Sequence, residues 1–228
     1  MRIVVLALVT ASLALVPTAG ARATKTSRHA PRVCTRTHHA VLASDAQAEV
    51  YSVAHSASPV LYGCTYGSGR IYRLGPIAYR YQTKYTEEGF YGLSHEVLAG
   101  PVVAYEEISN QLGCGFCHWA VIVRDLRTGR VLRREPTGMP VNPGLEENFG
   151  VGPVRAIVLK SDGSVAWIAD ARGAEGRPSE GGYQVHASDA SGGRLLATGE
   201  DIEPDSLALA GSTIYWTQAG RPSSASLQ

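Results

Sequence analysis

Cys114-Gly115-Phe116-Cys117-His118 is the segment whose residue types and spacing match a definite chemistry. Cys-x-x-Cys-His is the pattern that attaches haem c: two thiols add to the vinyl groups and the adjacent imidazole ligates iron. The same pair of cysteines suits a dithiol redox centre, provided the motif opens a helix after a strand so that a thiol pKa falls. Zinc would need two further ligands, and His95 or His118 is too little to supply them. The plainest chemistry is a local disulfide pinching a β-connection. Trp119-Ala-Val-Ile-Val-Arg-Asp125 follows the motif as a strand pattern, whereas haem c sites lie among helices. The expectation is therefore a Cys114–Cys117 disulfide and no cofactor, with haem c on Cys114, Cys117 and His118 as the alternative.

A second concentration of chemistry lies in residues 76–92. Tyr79, Tyr81, Tyr85, Phe90 and Tyr91 stand among Arg80, Lys84, Glu87 and Glu88. If the stretch is extended, Tyr79, Tyr81 and Tyr85 share one face. It then reads either as an irregular loop or edge strand packing its rings on the sheet, or as an aromatic platform for a glycan. Other candidates dissolve on inspection. Glu106-Glu107 and Glu146-Glu147 are adjacent pairs whose side chains diverge in extended chain, which is poor geometry for a carboxylate dyad. His95-Glu96 stops short of a zinc-protease motif, and Asp201, Glu203 and Asp205 around Pro204 read as a solvated turn rather than a calcium loop. Serine-hydrolase elbow, phosphate loop and dinucleotide fingerprint are all missing from the sequence. No residue is assigned a catalytic or metal-binding role.

The elements that would position these residues are short strands. A turn closing on Gly-Arg and followed by an aliphatic strand recurs as Tyr66–Leu74, Asp125–Arg133 and Asp189–Leu196. Gly163-Ser-Val-Ala-Trp-Ile168 and Gly211-Ser-Thr-Ile-Tyr-Trp216 form a second recurring phrase. Together they divide the chain into four units. The first contains strands over 39–44, 49–54, 60–65 and 70–74. Unit two has strands over 95–99, 102–107, 119–126 and 130–134, with 108–118 as a segment between its second and third. Unit three has them over 155–160, 164–169, 183–188 and 194–198, and unit four over 206–210, 213–218 and 224–227. Residues 135–152 and 172–182, rich in Pro, Gly and charge, read as connections. Such units cannot bury a face alone, so they are expected to pack as an all-β, propeller-like array of about four small antiparallel blades, closed or partial. Unit four is a strand short, and residues 33–37 are the candidate to complete it.

The ends of the chain address its location. Arg2, the apolar run Ile3–Val16, Pro17 and the small-residue sites near Ala21 and Ala23 make residues 1–23 a signal peptide. That run falls short of the ~20 residues of a comfortable membrane span. Residues 24–33 read as a flexible lead and 34–228 as a single domain. Loss of Arg2 and Arg22 with no acid moves the formal charge from +1 to −1, which leaves no basic footprint for nucleic acid. The four cysteines of an exported chain imply two disulfides. Their spacing does not select a pairing, although Cys34–Cys64 with Cys114–Cys117 would tie down the N-terminal lead.

The Asp-x-x-[Thr/Ser]-Gly-Arg turn at Asp125–Arg130, its variant at Asp189–Arg194 with Gly192 in the Thr/Ser place, and the Gly-Ser strands that lead to Trp167 and Trp216 resemble those of secreted β-propeller-like repeat proteins of actinobacteria. An arginine-rich, lysine-poor composition suits such a source. The resemblance implies a fold and an exported address and carries no catalytic residue. The spacing of about sixty residues between Gly-Arg turns exceeds the about forty-five of familiar propeller blades. The expected function is an exported, non-enzymatic, monomeric binding module for a protein, glycan or small molecule, with the Cys114/Cys117/His118 redox protein as the alternative.

Overall fold

The computed structural model of the chain describes residues 34, 39–54, 58–82, 88–110, 117–138, 152–171 and 182–228. At 79–82, 88–90, 110 and 117 it describes the backbone alone. All of these residues belong to the second of two units in the chain, Pro31–Gln228. The regular elements among them are β-strands, joined into four antiparallel sheets. The first sheet contains β1 (His39–Ser44), β2 (Ala48–Val53), β3 (Val60–Thr65) and β4 (Ile71–Pro76). The second contains β5 (Ala78–Gln82), β6 (Glu88–Ala99), β7 (Val102–Asn110), β8 (Cys117–Asp125) and β9 (Val131–Pro136). In the third are β10 (Val154–Leu159), β11 (Val165–Asp170), β12 (Tyr183–Asp189) and β13 (Gly192–Gly199). The fourth has β14 (Ala208–Ala210), β15 (Thr213–Gln218) and β16 (Arg221–Ser226). Each sheet is a meander, with neighbours in sequence paired in space.

The sheets pack face to face in chain order, and the burial of each strand explains its pattern. Val50, Leu61 and Leu74 of the first sheet meet Leu93, Tyr105 and Ile122 of the second. Val121 and Val123 meet Ile157, Val165 and Trp167 of the third, whose opposite face brings Ile168 and Val185 against Ile214 and Trp216 of the fourth. Strands covered on both sides read as unbroken apolar runs, as in Val165-Ala-Trp-Ile-Ala169, where every residue is buried. Strands on the rim alternate, as β9 and β16 do. A buried large aliphatic side chain contributes roughly 1.5–3 kcal/mol, so these seams supply the cohesion of the stack.

The recurring phrases fall at equivalent turns. Each Gly-Arg phrase bridges β3 to β4, β8 to β9 or β12 to β13, and Gly163 and Gly211 precede β11 and β15. Turn chemistry accounts for the residue types. Asp125 Oδ1 accepts the Arg127 N–H at 2.8 Å, and Asp189 Oδ1 accepts the Ser191 N–H at 2.9 Å, so each aspartate caps its own turn. Gly129 has φ of 76°, and a Cβ there would strike the Tyr72 ring of the first sheet. Asp189 and a further turn aspartate, Asp45, also reach beyond their own turns. Asp45 Oδ2 accepts the Gly100 N–H at 2.5 Å, and Asp189 Oδ2 accepts Arg194 Nη2 at 2.8 Å and the Gln228 N–H at 2.9 Å.

Several sequence expectations need correction. The second sheet has five strands rather than four, because the tyrosine-rich stretch supplies β5, an edge strand as one of its two expected forms, and the first half of β6. Residues 108–110 and 117–118, read as connecting chain, prolong β7 and β8 as one long hairpin. The extra length is stabilised by pairing: β5 extends directly from the end of β4 and hydrogen-bonds to 88–92. Residues 206 and 207 precede β14 rather than belonging to it, and the last strand begins at Arg221. Cys34 and Cys64 form a disulfide with a Cα–Cα separation of 5.9 Å, and Cys34 is buried against Tyr51. Residues 1–33 and 35–37 lie outside the described residues, so the signal peptide, the flexible lead and the proposed closing strand do too. Among the described residues the fourth sheet has three strands, and no helix is long and apolar enough to cross a membrane.

Candidate functional site

The two ends of the stack differ in character. At one end the strands are joined by the tight turns at 45–47, 66–70, 100–101, 126–130, 160–164, 190–191 and 211–212. Adjacent sheets are clamped there: Arg70 Nη1 donates to the Arg127 carbonyl at 2.9 Å, Arg133 Nε to the Gly163 carbonyl at 3.0 Å, and Ser164 Oγ to the Gln228 carbonyl at 2.8 Å. The long connections 111–116, 137–153, 171–182 and 200–207 leave from the opposite end.

The second sheet projects at that opposite end. Glu106 of β7 is hydrogen-bonded to the N–H of Val154, the first residue of β10, which sets the level at which the third sheet begins. β7 continues to Asn110, so at about 3.4 Å per residue the second sheet overhangs by roughly 14 Å. The described parts of the tyrosine-rich and Cys-x-x-Cys-His segments, in β5, β6 and β8, lie on this overhang. Tyr79 pairs with Tyr91, Tyr91 with Ser109, and Ser109 with His118, which makes one row across β5 to β8. Tyr81 stands opposite Gly89, and Cys117 opposite Asn110. Tyr85 and Cys114 lie outside the described residues, and with them the Cys114–Cys117 pairing and the complete haem motif. Cys117 and His118 are consecutive residues of a β-strand rather than of a helix.

The overhang carries a polar cluster on each face. Glu106 and Glu107 diverge, as adjacent residues of a strand must. On the side of the first sheet, Glu107 Oε2 accepts the Tyr91 hydroxyl at 2.9 Å and Oε1 accepts Arg134 Nη2 at 2.5 Å. Burial, followed by the hydrogen bond to Glu107, holds the Tyr91 phenol well above its ordinary pKa, so it remains a donor. On the side of the third sheet, Glu106 is almost wholly buried. Its Oε1 accepts the Val154 N–H at 2.7 Å, and its Oε2 accepts Ser94 Oγ at 2.6 Å and His95 Nδ1 at 3.2 Å.

His95 is the unusual residue of this cluster. It has φ of 57° within a bulge of β6, where the pairing register shifts between Ser94 and Val97. A non-glycine residue there costs on the order of 1–3 kcal/mol and persists only where its surroundings dictate it. Bulges re-aim side chains, and this one turns the His95 imidazole outward, 39% exposed, with Nδ1 against Glu106. The Glu106 hydrogen bond is the largest cause raising its pKa above the ordinary value, and burial is the main opposing one. With Nδ1–H donated to the carboxylate, neutral His95 presents Nε2 outward as an acceptor. Across the seam, Arg155 Nη2 donates to Asp170 Oδ2 at 2.9 Å, with the guanidinium partly exposed.

The Ser94–His95–Glu106 cluster was not found from sequence, because its partners come from β6, β7 and β10. The available signal was an acid, Glu106, that directly follows the apolar run Val102–Tyr105. Among the described residues no group of three or more His, Cys, Asp or Glu is arranged to hold a metal ion. The fold and this end of it define an all-β protein of stacked antiparallel meanders with one projecting sheet. No protein-family model matches the chain, and no curated protein is significantly similar to it.

Proposed function

We propose that the chain is an exported, non-enzymatic binding module of β-propeller-like build, related to the secreted actinobacterial repeat proteins that its turn phrases resemble. Its ligand is taken at the end from which the second sheet projects. Residues 1–23 direct export, and the mature chain works as a monomer outside the cytoplasm. The Cys34–Cys64 disulfide supports that address, since such bonds persist in oxidising compartments.

The observation that carries the reading is the asymmetry of the two ends. Turn aspartates and arginines clamp one end into scaffold. At the other end the second sheet projects with a surface rich in tyrosine and paired charge, and binding residues concentrate where a rigid frame presents them. Neighbouring strands place Tyr79, Tyr91 and His118 in one row, so a ligand meets a surface rather than a single loop.

The test is to export the chain with its own leader, purify it, and compare it with Tyr79→Ala and Tyr81→Ala variants in capture assays against extracellular protein extracts, oligosaccharide arrays and small metabolites. The expected result is saturable binding that the tyrosine substitutions weaken without lowering Tm. A covalently attached chromophore with a Soret band would refute the reading and install the haem alternative on Cys114, Cys117 and His118.

A further inference from the structure

The clamped end holds more arginine than its clamps use. Every strand-joining turn at this end lies within the described residues. The turns that carry the Gly-Arg phrase are built alike, an opening residue followed five positions later by arginine: Thr65 and Arg70, Asp125 and Arg130, Asp189 and Arg194. In the third sheet the opening aspartate pairs with the closing arginine, Asp189 Oδ2 accepting Arg194 Nη2 at 2.8 Å. In the second sheet Asp125 is taken by Arg127 at 3.1 Å, so Arg130 has no acid among the described residues. In the first sheet Thr65 stands in the aspartate's place, and Arg70 has no acid either.

Both leftover arginines belong to turns that meet at one seam, between the first and second sheets. Arg70 Nη1 donates to the Arg127 carbonyl at 2.9 Å, and the Tyr72 hydroxyl donates to the same carbonyl at 3.3 Å. The Tyr72 ring lies against Gly129, whose carbonyl accepts Arg124 Nη1 at 3.1 Å. Arg124 is the telling residue. It is half-buried beside the Tyr105 hydroxyl, and its Nε is buried with no partner among the described residues. A cation drawn out of water is ordinarily balanced by an acid. The nearby carboxylates are already engaged, Asp125 by Arg127 and Glu107 by Arg134. Arg70, Arg124, Arg127 and Arg130 against Asp125 leave a local charge of +3, in a chain whose formal charge is +1.

The donors are aimed as well as charged. Arg70 and Arg124 each spend an N–H on a backbone carbonyl, which fixes the direction of the guanidinium and leaves other donors of its planar fork unspent. Donors held in place suit an oxyanion, because little freedom is lost when it binds. A tetrahedral phosphate offers oxygens to several forks at once, whereas a carboxylate offers two. We propose that Arg70, Arg124 and Arg130 form a binding site for a phosphate group, free or carried as a lipid headgroup. The site lies apart from the projecting end and does not depend on what that end binds. Thr65 leaves Arg70 available for it, and the capture of Asp125 by Arg127 leaves Arg130 available.

The whole exported chain is titrated with inorganic phosphate at fixed ionic strength, with chloride as the control. Arginine Nε–H signals are followed by NMR, and Tm is measured alongside. In a second arm, sedimentation compares phosphatidylglycerol vesicles with phosphatidylcholine vesicles, whose choline neutralises the phosphate. Arg130→Gln removes a side chain with no hydrogen bond or ion pair among the described residues, so its Tm without phosphate should match the parent's. The expected result is saturable phosphate binding that raises Tm beyond the chloride control. Arg124→Gln should weaken it about tenfold and Arg130→Gln about threefold or more. Capture on phosphatidylglycerol vesicles that Arg124→Gln abolishes would assign the lipid source; phosphate binding without vesicle capture would assign the free ion. Either supports the site. Phosphate that shifts Tm no more than chloride, with no vesicle capture, would overturn it. So would equal affinity in the parent and both variants, or acetate bound as tightly as phosphate.

Discussion

His186 offers the sharpest physical test of the stack. It lies in β12, 4% exposed, with its ring stacked on Trp167 at a centroid distance of 5.2 Å and an interplanar angle of 8°. Nε2 hydrogen-bonds to Gln184 Oε1 at 2.9 Å, and Trp167 Nε1 donates to the Thr137 carbonyl at 2.6 Å. Burial pushes the imidazole pKa down to about 4 from 6.5. Above 6.5 the residue is neutral in both folded and unfolded chains and contributes no pH dependence. Between 6.5 and about 4 the unfolded chain binds a proton that the folded chain refuses, so stability falls as pH falls. At about 1.4 kcal/mol per pH unit, that gap accumulates to about 3 kcal/mol. Urea denaturation of the parent and of His186→Phe, each across that window, measures it. Phenylalanine keeps a ring over Trp167 and cannot titrate. The variant should be about 1 kcal/mol less stable near neutrality for want of the Gln184 bond, yet should lose about 3 kcal/mol less than the parent on acidification. Equal acid sensitivity in the two proteins, or an NMR titration of His186 at the ordinary histidine value, would refute the account of a dry seam between the second and third sheets.

The remaining expectations are smaller in scope. Since its folded pKa is raised, His95 contributes stability that is complete below 6.5 and is lost as pH rises through the folded value; Glu106→Gln should abolish that alkaline loss in denaturation curves taken on either side. Replacing Cys34 and Cys64 together with alanine opens a loop spanning 30 residues and should lower unfolding free energy by about 3–4 kcal/mol, seen as a fall in the denaturation midpoint. Gly129→Ala forces a Cβ into the Tyr72 ring at a positive φ and should cost about 1–3 kcal/mol, whereas Gly67→Ala, with open space around it, should cost far less in the same thermal scan. Asp189 is held below the usual carboxylate range, first by Arg194, so Asp189→Asn should remove stability present above pH 3.8 and lost below it, read as a flatter acid limb.

Much of the fold was legible along the chain. Strands β1, β3 and β15 occupy the residues expected of them, and most of the others differ by a few residues at their ends. Period-two patterning, turn residues and apolar runs are local properties, and local chemistry decides where a strand stops. Asp125, Gly129, Asp189 and Gly163 announce their turns because cap and positive φ are satisfied within a few residues. The tyrosine stretch was harder. Nothing local in residues 76–92 distinguishes a loop from a strand, because β5 owes its order to its partner in β6.

The site was the least legible part, for a related reason. The divergence of Glu106 and Glu107 follows from the strand period and was readable. Their partners were not: Glu107 meets Tyr91 and Arg134, and Glu106 meets Ser94, His95 and Val154, residues up to 48 positions away. A bulge at Ser94–Val97, a histidine at positive φ and an overhang beyond β10 arise only when three strands from two sheets are brought to one level. The sequence by itself determined a chain of short strands with self-capped turns, because each turn satisfies its own backbone. Only the tertiary structure decided which end is clamped, which sheet projects and where a buried carboxylate turns a histidine outward, because those features belong to contacts between sheets.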